Sequence, residues 1–148
     1  MLDLAAGGGR HSVYFSSLGY EVEAVDRDVS ALRSIAGIHV RAADLEADPW
    51  PYAGRRFAGI VVTNYLHRPL FPLLIEALVP GGVLIYETFM LGNERYGRPS
   101  NPDFLLRPNE LLAVTAGLEV RGFEQGYVVE SKPAMVQRLC ARKLAPAP

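Results

Sequence analysis

Apolar and polar positions along this chain switch between two periods, and the switching predicts strands that alternate with helices. A short apolar run, Leu2 to Leu4 broken only by Asp3, ends in the cluster Gly7, Gly8, Gly9. That is the form of a strand turning tightly into a helix, since glycine accepts positive φ and leaves the first helical N–H groups facing outward. The helix is expected over Arg10 to Leu18, stopped by Gly19. Glu21 to Val25 reads as a second strand ending on Asp26. Asp28 to Ala36 reads as a second helix, with Asp28 as N-cap and Gly37 as terminator. Ile38 to Ala42 is a short third strand, and Asp48 to Gly54 holds too many breakers for more than a turn. Pro69 to Leu78 and Pro108 to Ala116 read as helices, the first opened by prolines and the second closed by Gly117. Leu118 to Glu124 and Ala134 to Arg142 read as two final strands, joined by a loop containing Gly126 and Pro133. Alternation of this kind implies a sheet covered on both faces.

The chemistry of the first turn narrows the function. Bare backbone at a helix N-terminus suits a ligand that must come close, and Asp26 follows the glycines by roughly twenty residues, as a ribose-binding carboxylate does. A dinucleotide fingerprint also asks for a third small residue three positions after its second glycine. Counted from Gly7 and Gly9 that position is Ser12, and counted from Ala5 and Gly7 it is Arg10. Ser12 is small, so a nicotinamide-dinucleotide-binding Rossmann protein stays as an alternative.

Taken together, Asp3, Ala5, Gly7 and Gly9 resemble motif I of the class I S-adenosylmethionine-dependent methyltransferases, and the resemblance continues in order along most of the chain. Asp26 matches the acid after the second strand that binds the ribose hydroxyls. Asp44 and Leu45 match the pair that holds the adenine amine and ring. Phe57 to Thr63 resembles the fourth strand, and Leu78, Val79, Pro80, Gly81, Gly82 with Val83 to Ile85 resembles the turn into the fifth. Among subfamilies the chain looks closest to small-molecule methyltransferases of the tellurite-resistance type. The resemblance implies an α/β, Rossmann-like doubly wound fold: a mostly parallel seven-stranded sheet with a C-terminal antiparallel hairpin, its N-terminal helices missing. It also implies S-adenosyl-L-methionine as cofactor, with Arg27 and Asn64 joining the binding set. Two positions depart from the pattern. Ala5 replaces the loop's first glycine, a change that a strand-like φ would tolerate, and Ala58 replaces a frequent acid.

Composition alters this picture little. A chain of 148 residues, 49% hydrophobic and 21% charged, fits one globular domain over 1–148. A net charge of -1 gives no electrostatic reason to expect nucleic acid as partner. Lysine occurs only at Lys132 and Lys143, against thirteen arginines, a bias we assign to codon composition. With Cys140 as the one cysteine an internal disulfide is excluded, and in a strand-like stretch it reads as a small buried apolar residue. No leader pattern and no apolar stretch near twenty residues is present, so a cytoplasmic protein without membrane contact is expected. His11, His39 and His67 lie far apart and lack cysteine partners, so no metal site is expected.

Methyl transfer is a displacement at a sulfonium methyl, and it asks the protein to align a nucleophile and exclude water. Residues after the fourth strand, Asn64 to Arg68, should lie where the methyl group emerges. Tyr65 can place its ring face near the sulfonium, and His67 is the general-base candidate because its pKa lies near neutrality. Asp3 either braces the loop or approaches the methionyl amine. His11, near a helix N-terminus, reads as a packing or hydrogen-bonding residue rather than a catalyst. The breaker-rich loop from Leu91 to Pro102 reads as a substrate cap, where Arg95, Tyr96 and Arg98 would suit an anionic small molecule.

The reading is a methyltransferase for a small molecule. Its rival from another class is a non-catalytic domain that binds the cofactor as a sensor or dimerises. Family members usually carry helices before the first strand, whereas only Met1 and Leu2 precede Asp3 here. A truncated form with an open crevice, weak turnover and a tendency to form a homodimer is therefore expected.

Overall fold

A computed structural model describes residues 1–147. Seven strands form one sheet in the order β3-β2-β1-β4-β5-β7-β6. β1 (Leu2–Leu4), β2 (Glu23–Asp26), β3 (His39–Ala42), β4 (Phe57–Thr63) and β5 (Leu78–Phe89) pair in parallel. β7 (Pro133–Lys143) lies antiparallel between β5 and β6 (Leu118–Val129). This is the expected mostly parallel sheet with its C-terminal hairpin. Among the described residues no helix is long and apolar enough to cross a membrane.

β1 is only three residues long, yet it pairs on both sides, Leu4 with Val25 of β2 and Val62 of β4. Its pleat separates two environments. Leu2 and Leu4 enter the main core with Val25, Ile60, Val62, Leu84 and Tyr86, covered by Phe71 and Leu74 of α2 (Phe71–Glu76) and Leu111 of α3 (Glu110–Val114). Asp3 points to the opposite face, where Ser12 of α1 (Arg10–Ser17) meets it. A smaller cluster of Ala24, Val29 and Leu32, joined by Ile35, Ile38 and Val40, fills the space beside β2.

Several elements depart from the sequence expectation. The helix over Asp28 to Ala36 does not form; the segment makes a turn and then a single 3-10 turn over Leu32–Ser34. The Asp28 carboxylate accepts the Ser30 N–H at 3.0 Å, an alternative to helical bonding that Asp and Ser offer readily. Burying Val29 and Leu32 needs no helix: Val29 reaches the cluster from the irregular chain before the 3-10 turn and Leu32 from its first residue. The helix from Pro69 splits into a 3-10 turn over Arg68–Leu70 and the short α2, and Leu78 already belongs to β5, opposite Phe57. Thus Leu78 to Gly82 is strand rather than turn, and the pairing with β4 shifts register between Phe57 and Gly59. Gly82 is required in that irregularity, since a Cβ there would stand 2.9 Å from the Val79 carbonyl oxygen and 3.1 Å from that of Phe57.

α3 begins only at Glu110, after Asn109 in the left-handed region, and it is shorter than Pro108 to Ala116. The last two strands are longer than expected. Gly126 pairs with Val136 and Val129 with Pro133, so the predicted loop shrinks to 130–132. Proline at the first position of a strand loses no ladder bond that matters. Cys140, in β7, is only half-buried.

Candidate active-site groove

A groove follows the carboxyl ends of the parallel strands, where ligands collect in open α/β sheets. It consists of three adjoining recesses. The first, of about 220 Å³, lies between Ala5, Asp26, Arg27, Asp44, Leu45 and Tyr65. The second, of about 530 Å³, opens over Gly7 and Gly8 and shares Ala5, Asp26 and Tyr65 with the first. The third, of about 560 Å³, shares Arg10 and Asn64 with the second and extends under the segment after β5.

The glycine turn is built around Asp26. One carboxylate oxygen accepts the Gly7 N–H at 2.9 Å and the other accepts the Asp28 N–H at 3.1 Å. Each oxygen keeps a lone pair for a ligand hydroxyl. Asp44 holds its own turn through one oxygen, which accepts the Glu46 and Ala47 N–H groups at 3.0 and 3.2 Å. Its second oxygen makes no hydrogen bond among the described residues, and Asp44 lines the first recess with Leu45. Asn64 sits at φ 55° after β4, a left-handed position that asparagine tolerates, and its N–H donates to the Glu87 carbonyl oxygen at 2.9 Å.

Two sequence expectations for this turn need correction, and one open choice is narrowed. Ala5 is not strand-like: its φ is 54°, a region that strains a residue with a Cβ. Gly9 lines none of the three recesses. It is buried at φ 80°, and a Cβ there would overlap Ile35 and stand 2.8 Å from Leu32 Cδ2, so its role is to let α1 approach that cluster. Asp3 also lies away from the recesses, only 2% exposed, where it accepts the Ser12 hydroxyl at 2.6 Å. Burial raises its pKa above the usual carboxylate value, partly offset by the Ser12 hydrogen bond and by His11. Of the two roles weighed for Asp3, the geometry matches the brace.

The residues after β4 divide. Tyr65 lines the first two recesses, its hydroxyl donating to Glu46 at 3.3 Å while its carbonyl accepts the Tyr86 hydroxyl at 2.7 Å. Burial, then Glu46, Asp44 and Asp26, push the Tyr65 phenol well above its ordinary pKa, so it stays protonated. His67 lines none of the three recesses; it stands at the N-cap position of the 3-10 turn over Arg68–Leu70, and its side chain makes no capping hydrogen bond. Arg68, the last of the residues expected where the methyl group emerges, lines none of the three recesses; it clamps Glu110 at 2.6 and 3.0 Å and the carbonyls of Asp103 and Leu105 at 2.9 Å.

Tyr96 and Arg98 reach the third recess, whereas Arg95 turns into a separate surface hollow beside Met135. The segment carrying them is ordered from within. Buried Asn93 donates to the Pro99 carbonyl and accepts the Met135 N–H, both at 3.1 Å. Sequence reasoning missed Arg138 of β7, which lies directly opposite Glu87 of β5 and Glu124 of β6. Its guanidinium hydrogen-bonds Glu124 at 2.8 Å and lies 2.8 Å from Glu130; its Nε is 2.6 Å from Glu87 as an ion pair without hydrogen-bond alignment. The only signal for it would have been the strand order.

The family model described as tellurite resistance protein TehB matches residues 1–47, the part that contains the glycine turn, Asp26 and Asp44. TehB from Haemophilus influenzae superimposes with a TM-score of 0.79 at 20% identity, over 96% of this chain and 57% of that one. The chain therefore spans a little over half the length of that protein. The N-methyltransferase NodS from Bradyrhizobium japonicum WM9 gives 0.72 at 14% identity, over 97% and 85%. The glycopeptide N-methyltransferase MtfA, solved with S-adenosyl-L-homocysteine, gives 0.62 at 19% identity, over 97% and 80%. No curated protein matches the sequence. The fold is that of the class I S-adenosylmethionine-dependent methyltransferases.

Proposed function

We propose that this chain, built on the class I methyltransferase fold, binds S-adenosyl-L-methionine and transfers its methyl group to a small molecule by direct displacement. Fold alone does not carry activity, so the reading rests on the groove. The observation that carries it is the Asp26 carboxylate, which ties down the Gly7 amide yet keeps a lone pair on each oxygen at the junction of two recesses.

The donor set suits the cofactor. Asp26 would take the two ribose hydroxyls, and the free oxygen of Asp44 would accept from the adenine amine, with Leu45 and Arg27 beside it. A Cβ built on Gly7 or Gly8 meets nothing within 4 Å, so the open space for the amino-acid portion begins directly at the backbone, next to Asn64. When bound, the cofactor supplies an electrophilic methyl group. The chain positions the acceptor: Tyr65, Asn64 and Arg10 border the second recess, and Tyr96 and Arg98 border the third. Displacement needs no covalent intermediate and no metal. Antiparallel β7, set between β5 and β6, also differs from the all-parallel order of dinucleotide-binding domains.

Calorimetry of S-adenosylhomocysteine against NAD and NADP tests the reading. Selective binding of S-adenosylhomocysteine is expected; preference for either dinucleotide would overturn it. Turnover on a small-molecule panel separates an enzyme from a non-catalytic cofactor-binding domain.

A further inference from the structure

The third recess carries an imbalance that the cofactor does not use. Four cations, Arg10, Arg98, Lys132 and Arg138, and two carboxylates, Glu87 and Glu130, line it. Both carboxylates are taken up by Arg138, at 2.6 and 2.8 Å. Arg10, Arg98 and Lys132 have no carboxylate within ion-pair distance among the described residues. They come from three separate segments: the first residue of α1, the loop after β5, and the turn between β6 and β7. Three like charges converging on one concavity repel one another, and an anion from outside relieves that repulsion.

Part of the remaining wall is apolar, beside the polar Asn64, Asn93 and Ser131. Phe89, Tyr96, Val128 and Val136 line the same recess, and the Tyr96 ring is held by Tyr127, with centroids 5.1 Å apart. A volume of about 560 Å³ lies in the range that encloses an organic molecule rather than a bare inorganic ion.

Resting on the methyltransferase reading, we infer that the acceptor is a small organic acid. Its carboxylate lies among Arg10, Arg98 and Lys132 and its apolar body against Phe89 and Tyr96. Arg138 contributes by holding Glu87 and Glu130, so that neither carboxylate neutralises the three free cations.

The test uses the whole chain saturated with S-adenosylhomocysteine and four probes: phenylacetate, phenylacetamide, phenethylamine and inorganic phosphate. Binding is followed by ligand-observed saturation transfer. Phenylacetate should bind at least tenfold more tightly than the amide or the amine, and added salt should reduce the difference. The double variant Arg98→Gln/Lys132→Gln should lose the preference while its affinity for S-adenosylhomocysteine changes less than twofold. Arg98→Lys, which keeps the charge, should retain the preference and guards against a folding artefact. Equal binding of amide or amine overturns the inference, as does a double variant that keeps the preference. Displacement of phenylacetate by phosphate at equal affinity overturns it too, by giving the cations to an inorganic oxyanion. If the chain fails to bind S-adenosylhomocysteine but still selects phenylacetate, the cofactor reading fails and the organic-acid site stands.

Discussion

The carboxylate of Asp26 accepts the N–H of Gly7 at 2.9 Å across 19 residues of sequence. Parallel pairing of β1 with β2, Leu4 beside Val25, brings the two strand ends level and makes this contact possible. One side chain therefore fixes the glycine turn and faces the ligand groove at the same time. Asp26→Ala should weaken S-adenosylhomocysteine binding by about 1 to 3 kcal/mol, because ligand hydroxyls and the Gly7 amide lose their acceptor. Unchanged calorimetric affinity in a folded variant would remove Asp26 from the site.

Backbone conformation makes the same demand at both ends of this turn, met by glycine at position 9 and poorly met by alanine at position 5. At φ 54°, Ala5 is strained, and Ala5→Gly should raise stability by up to about 1 kcal/mol, the relief being partly offset by a more flexible unfolded chain. Gly9→Ala drives a methyl group into Ile35 and Leu32 and should lower stability by about 1 to 3 kcal/mol. Urea midpoints that move in the same direction for both would contradict the described turn.

Burial of Asp3 predicts a pH signature. Its raised pKa means that the folded chain holds the proton more tightly than the unfolded chain. The associated stability is full below the unfolded value, near pH 4, and is lost as pH rises through the folded value. Asp3→Asn cannot ionise, and its carbonyl oxygen still accepts from Ser12. The stability difference between variant and native chain should therefore shift in the variant's favour from about pH 4 to pH 7. A difference independent of pH would show that Asp3 does not titrate on folding.

Glu110 has the opposite sign. Burial alone would raise its pKa, but hydrogen bonds from Arg68 and the Arg107 N–H overcome this and hold it below the usual value. Its stabilisation is present above the unfolded pKa and is lost as pH falls through the lower folded one. Arg68→Met should destabilise the chain at neutral pH by about 2 kcal/mol, a value reduced because Arg68 is partly exposed, and should flatten the acid limb of the stability curve. An acid limb of unchanged slope in urea titrations would show that this pair is not its source.

Local pattern made the architecture legible because its signals are local. The glycine cluster after Leu4 marked the turn, the apolar run Phe57 to Thr63 marked β4, and the tail read as a hairpin. Asp26, Asp44 and Leu45 were legible as groove residues because each closes a strand or turn at the same edge of a parallel sheet. Where two local structures satisfy one apolar spacing, sequence could not choose. Val29 and Leu32 fill their cluster from an irregular segment and the 3-10 turn after it as well as they would from a helix, and Gly126 pairs with Val136 because β7 is there to receive it. Around the groove the roles were likewise decided by packing: Gly9 makes room for Leu32 and Ile35, Asp3 turns inward to Ser12, and His67 lines none of the three recesses. Arg138 shows the division most plainly. Its partners Glu87 and Glu124 lie on strands that become its neighbours only when β7 inserts between β5 and β6, and pairing across a sheet depends on strand order and register. The sequence by itself determined the strands, the turn and the acids at the groove; which side chains meet there was decided by the tertiary structure.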